Sequence, residues 1–254
     1  MTTATLFRPP APRASGAGPS AWATPVRSAH VAVAGALVSV PPIVLLHMDA
    51  PARLSAVTTT ISDYVVETPL GEPLFGLTAG ALALTGFAIA RGLTGATAVK
   101  AMLAGWSLAL ILAAVFPTNL PGTPGGVSST IHLMAGAVVF GLLPIVGLAV
   151  WRRSRESIVG TRTGRALLVS TAVSGVLSAA LILNRIPGIV GLDQFSLPPG
   201  LLQRAAGAVE IVLAVVIALA VLRLPTPGAT PDRPEGGTES SYAPPAVDLP
   251  LSAF

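Results

Sequence analysis

The chain has no cysteine. Disulfides, thiolate nucleophiles, iron–sulfur clusters and thiolate metal sites are excluded together, and nothing follows about redox compartment. Charge is scarce too: only 10% of the 254 residues are Asp, Glu, Lys or Arg. A soluble domain carries about a quarter, so the deficit points to a membrane protein. Lysine is nearly missing, with Lys100 alone beside fourteen arginines. That preference, with abundant Ala, Gly and Pro, reflects codon usage and points to a GC-rich bacterial genome. Aromatics make up 5% of the chain and do not cluster with basic residues, so nucleic acid is not an expected partner.

What is present is apolar: 52% of the residues are hydrophobic. A bilayer core takes about 20 apolar residues per helix. Six runs qualify, at 29–47, 73–91, 100–116, 129–151, 163–184 and 199–223. The expected fold class is all-α, a polytopic membrane bundle of six transmembrane helices spanning 29–224. Residues 1–28 and 225–254 are rich in Pro, Ala, Gly and Ser and are read as a disordered arm and tail. The arm lacks the early apolar core and small-residue cleavage site of a secretory signal.

The basic residues set a direction. Twelve of the fifteen fall in the arm, the second and fourth loops and the tail, against Arg53, Arg185 and Arg204 on the other side. The positive-inside rule then places both termini in the cytoplasm of a plasma-membrane protein. Three loops face outward: 48–72, 117–128 and 185–198. The first is acidic, with Asp49, Asp63, Glu67 and Glu72 against Arg53. Its segment "ARLSAVTTTISDYVV" puts Leu54, Val57, Ile61 and Val65 near one helical face, predicting a short helix on the membrane surface or capping the bundle.

Helices in lipid associate through close packing rather than exclusion of water. Ala101, Gly105, Ala109 and Ala113 in the third span, and Gly76 and Gly80 in the second, are expected packing seams. Pro41, Pro42 and Pro144 should kink their helices. In the fifth span Ser170, Ser174 and Ser178 recur every fourth residue, and Arg185 projects from the same side. Such a stripe can simply bond its own helix carbonyls. Glu210 lies mid-span in the sixth run, where a carboxylate costs about 2.5 kcal/mol or more and normally faces the bundle interior. Counted from the outer ends, Ser174 lies at a similar depth and is its expected neighbour.

The outer ends collect His47, Asp49, Asp63, Asn119, His132, Asn184, Arg185, Asp193, Gln203 and Arg204. His47, His132 and Asp63 could offer three zinc ligands, but no HxxxH or HExxH spacing supports a metal, and none is expected. A haem on His47 and His132 would lie too close to the surface, so no cofactor is expected. No GxSxG elbow, Walker loop or dinucleotide fingerprint occurs. His132 can be a polar cap of its helix, or can exchange protons with Asp63 or Glu210.

The order "TTTISDYV" before the second span, "FPTN" closing the third, His132 opening the fourth, "RR" after it and "LLQR" in the sixth resembles the bacterial membrane family called domain of unknown function 998. The resemblance covers about residues 30 to 224. It implies six helices in a membrane and singles out Ser62, Asp63, Tyr64, Phe116, Pro117, Thr118, His132, Gln203 and Arg204, with Asn119 standing where many relatives have Asp.

The leading expectation is an outward-facing polar pocket that binds or transports a lipophilic small molecule or lipid. Asp63, Tyr64, Asn119, His132, Gln203 and Arg204 would line it, with Glu210 at its floor. The runner-up is a membrane-embedded enzyme acting on a lipid or isoprenoid, with Asp63 or Glu210 as general acid and His132 as partner. A purely structural or partner-binding membrane protein is the third reading. The lipid bilayer is the expected surrounding, and no protein partner can be named from sequence.

Overall fold

The computed structural model describes residues 20–119, 123–184 and 197–224. The expectations for most of the arm, for the tail, and for Arg185 and Asp193 lie outside that range. Every regular element among the described residues is helical: α1 Ser20–Val38, α2 Val40–Met48, α3 Ile61–Glu67, α4 Gly71–Gly92, α5 Thr97–Val115, α6 Val127–Ile158, α7 Arg162–Leu183 and α8 Pro199–Val221. α1 begins at Ser20, inside the stretch read from sequence as a disordered arm. Six spans are long and apolar enough to cross a membrane, the first made of α1 and α2 together over Pro25–Met48.

The spans pack in chain order around a closed ring, α1 on α4, α4 on α5, α5 on α6, α6 on α7 and α7 on α8. α8 returns to α1 and also touches α4 and α6, so it is the most enclosed helix. Large apolar side chains such as Leu37, Leu77, Leu84, Val176 and Val212 point outward, as a lipid-facing surface requires.

The prolines act differently from one another. Pro41 and Pro42 cannot return amide hydrogens to Leu37 and Val38, and the first span breaks just before them at Ser39. Side chains bond to the backbone on either side of the break. Ser39 Oγ donates to Ala36 O at 2.7 Å, and Thr78 of α4 donates to Ser39 O at 3.2 Å. Pro144, by contrast, lies within a helix that stays continuous for 32 residues. That helix runs past the expected end at 151, carrying Arg153 to the α4–α5 turn, where it donates to Thr94 O at 3.0 Å.

The expected seam at Gly76 and Gly80 is not where α4 packs closely. A Cβ built on either would meet nothing within 4 Å. The tight approach is one turn and a half further on: a Cβ on Gly86 would lie 2.3 Å from Ser107 Oγ and 2.9 Å from Trp106 Cε3 of α5. Trp106 is buried there and donates its indole N–H to Val139 O of α6 at 3.1 Å. Spacing alone cannot separate a seam from a lipid-facing ridge, because small residues on both recur with the helical period. In the third span Ala109 and Ala113 are buried, whereas Ala101 is exposed.

Two alanine substitutions should therefore differ in sign. Gly86→Ala should destabilise the detergent-solubilised protein by about 1–3 kcal/mol through overpacking. Gly80→Ala should stabilise it by up to roughly 1 kcal/mol through helix propensity. Thermal melts of the two variants check this, and equal shifts would refute the α4–α5 contact.

Candidate functional site

One end of the bundle carries α3, shorter than the sequence pattern suggested. The chain before Ile61 forms turns, because Thr60 stops the helix with an N-terminal capping box. The Asp63 carboxylate accepts from the Thr60 amide at 2.9 Å and from the Thr60 hydroxyl at 2.7 Å. Asp63, expected to line a pocket mouth and to face His132, is thus held by its own helix start. The Thr60-x-x-Asp63 spacing carries that signal in the sequence. Of the expected apolar face, Leu54, Ile61 and Val65 pack with Leu46 and Tyr64, whereas Val57 is exposed. α3 therefore caps the bundle, with contacts to α2, α4 and α8.

The first turns of α8 hold the segment that leads into α3. Leu201 N–H donates to Val57 O at 2.9 Å, and Ile61 N–H donates to Gln203 Oε1 at 2.7 Å. The contact is close enough to demand glycine at position 200, where a Cβ would lie 2.4 Å from Thr59 O.

Arg204 sits in this junction. Its Nη1 donates to Thr59 O at 2.7 Å and to Gly200 O at 3.0 Å, and its Nε donates to His47 Nε2 at 2.7 Å. His47 Nδ1 faces Ile43 O at 2.6 Å. A carbonyl only accepts, so Nδ1 carries the hydrogen and Nε2 is the free acceptor: the ring is neutral. The guanidinium carbon lies 4.7 Å from the Tyr64 ring centroid, a cation–π contact. Nη2 is buried and bonds to nothing among the described residues. Asp63 and Tyr64 are near enough to act on the charge, yet no carboxylate among the described residues forms an ion pair with Arg204; the pair found at this end is Arg53–Glu67. The groups that bond it directly are all neutral.

His132 lies on the first turn and a half of α6. Its Nδ1 is 2.9 Å from both Ala113 O and Phe116 O at the end of α5, and its Nε2 is 3.2 Å from Ser62 Oγ of α3. The polar-cap reading is thus realised across helices, and the expected Asp63 partner is replaced by its neighbour Ser62. Asn119 turns back on its own loop and donates to Pro124 O; it does not join Arg204. Tyr64 does, and Gln203 bonds the adjoining segment at Ile61 N–H.

Glu210 is buried inside the bundle, away from lipid. Leu181 clusters with Leu202 and Ala206, and a Cβ on Gly147 would meet both Thr171 Oγ1 at 2.4 Å and Leu213 Cδ1 at 3.2 Å. These contacts set the α7–α8 register and place Ser174 at the level of Glu210, as expected from depth. No hydrogen bond joins them: Ser174 Oγ, Ser178 Oγ, Thr171 Oγ1 and Glu210 Oε1 all lack a partner among the described residues. Only Ser170 follows the self-bonding pattern, donating to Ala166 O at 2.7 Å. His47 was missed from sequence as a partner of Arg204, since 157 residues separate them.

The architecture defines a six-helix membrane protein with one polar, helix-capped end. The family described as Protein of unknown function (DUF998) matches residues 33–221, and the chain belongs to it. No curated protein and no solved structure matches the chain.

If Asp63 serves as a cap, Asp63→Ala should cost about 0.5–2 kcal/mol and Asp63→Asn should recover most of it. Denaturation in detergent distinguishes this from an essential acid, for which Asn would be as damaging as Ala in any functional readout while leaving stability intact. Glu210→Gln should melt at or above the parent temperature, since a buried carboxyl whose Oε1 has no partner among the described residues has little pairing energy to lose. A drop of more than a few degrees would reveal a partner.

Proposed function

We propose that the protein is a multi-pass plasma-membrane protein, with both termini cytoplasmic, that binds a lipid-like amphiphile at its α3 end through an anionic head group. The orientation rests on the basic residues, twelve to three in favour of the opposite side.

The observation that carries the binding reading is the state of Arg204. A guanidinium fixed by His47, Thr59 O, Gly200 O and the Tyr64 ring keeps its full charge and one buried, unpartnered N–H group. A buried guanidinium nitrogen left without an acceptor is costly, and an incoming carboxylate or phosphate relieves that cost. Such a head group at the end of a bundle leaves its tail alongside the apolar spans. The acid–base pairing of Asp63 with His132 is disfavoured, because the carboxylate is already engaged by Thr60. Whether the ligand is held or moved across the bilayer does not alter how its head is recognised.

Photoactivatable anionic and zwitterionic lipids of equal chain length, incorporated in nanodiscs with the protein, test this. The anionic probe should cross-link near 59–64 and 199–204. Arg204→Gln should weaken it by about tenfold, the equivalent of about 1.4 kcal/mol from a lost charge-assisted hydrogen bond. Equal labelling by both probes, or an unchanged pattern in a folded Arg204→Gln variant, would overturn the reading.

A further inference from the structure

We propose that Ser62 and His132 form a nucleophile–base pair that transfers the acyl group of an ester-linked amphiphile; the choice of substrate class rests on the head-group reading above, the pair itself does not. The argument starts at the end of α5. The last carbonyls of a helix have no amide to accept from, and here Ala113 O and Phe116 O both receive His132 Nδ1 at 2.9 Å. Because neither can donate, the neutral imidazole must carry its hydrogen on Nδ1. Its Nε2 lone pair then points at Ser62 Oγ, 3.2 Å away, and the serine hydroxyl donates to it. The Phe75 ring, with its centroid 6.2 Å from that of the imidazole, packs on the same side chain.

This is the arrangement by which a serine is activated: base within hydrogen-bond reach, and a third group orienting the base. Backbone carbonyls stand where a carboxylate often does. They also supply the partial negative charge of a helix C-terminus, which favours the imidazolium that forms after proton transfer. A serine bonded to a histidine merely to join two helices would serve equally well with either tautomer. Here the tautomer is set by groups that have no other donor from outside their own helix. Ser62 is also reachable: both it and His132 are partly exposed, at the end of the bundle. Next to it, Gln203 accepts from Ile61 N–H through Oε1.

The step balances without any further reagent but water. Ser62 Oγ attacks the ester carbonyl carbon as its proton passes to His132 Nε2. The C–O bond to the alcohol breaks, and the leaving oxygen takes that proton. Water then attacks the acyl-serine with His132 again accepting the proton, which releases the carboxylic acid and restores Ser62. An alcohol in place of water completes a transacylation.

The test uses the full chain in nanodiscs and an alkyl fluorophosphonate, which bonds covalently only to activated serines. The expected result is an adduct on Ser62, identified by peptide mass and lost in Ser62→Ala. His132→Asn keeps a donor for the two α5 carbonyls while removing the base. It should therefore keep the parent melting temperature and label at least about a hundredfold more slowly, the usual contribution of a general base. Arg204→Gln should still label, since the probe needs no anionic head. That separates failure of the pair from failure of the head-group reading. Absence of an adduct, an adduct on a different serine, or undiminished labelling in a folded His132→Asn variant would overturn the proposal.

Discussion

Everything in this protein answers to one constraint: inside a bilayer, a polar atom has no water to fall back on. Each must find a partner within the chain or be left at a cost of several kcal/mol. The spans meet it through their own backbone ladders. Side chains from neighbouring helices add to those ladders, at a helix end, beside a break and along a helix. Thr78 donates to the broken first span at Ser39, Trp106 bonds across to Val139, and His132 closes the end of α5. Each bond serves the backbone of one helix with the side chain of another, so the same atoms that repair a helix also fix its neighbour's position.

That double use explains the end bearing α3. Seven residues of helix would not persist alone. α3 is held because its start is capped by Thr60 and Asp63, its apolar face is buried by Leu46 and Phe75, and its lead-in segment is bonded to α8. Ser62 and Tyr64 thereby acquire defined positions, one against His132 and one against Arg204. The polar groups are rigidly placed by these structural bonds.

The broad architecture was legible in the sequence because length and hydropathy decide it. Six apolar runs match six spans within a few residues, except that α6 continues past its apolar stretch on charged residues that suit a helix equally well. The interior position of Glu210 was legible too, from the expense of exposing a carboxylate to lipid. The convergence of Gln203 and Arg204 on the segment before α3 could be anticipated only as a gathering of outer ends. Which atoms meet was not legible. Asp63 and Ser62 are adjacent in sequence and point to different partners, a distinction set by helix phase at a capping box. Gly80 and Gly86 differ only in which side of α4 they occupy. Contacts such as His47–Arg204 depend on where the first span breaks, and hydrophobic periodicity carries no record of it.

The two polar regions differ in a way that bears on function. Around Glu210 the hydroxyls of Thr171, Ser174 and Ser178 are unpartnered, so a proton or a water molecule could be accommodated by rotation of a hydroxyl alone. Around Arg204 nothing can rotate: the guanidinium is planar and three of its directions are taken, by His47, by two carbonyls and by the Tyr64 ring. An adaptable interior suits small, exchangeable species. A rigid cation held among neutral groups suits a ligand whose charge must arrive from outside the protein. The proposed recognition is therefore assigned to the α3 end, where preorganised groups cost little to use.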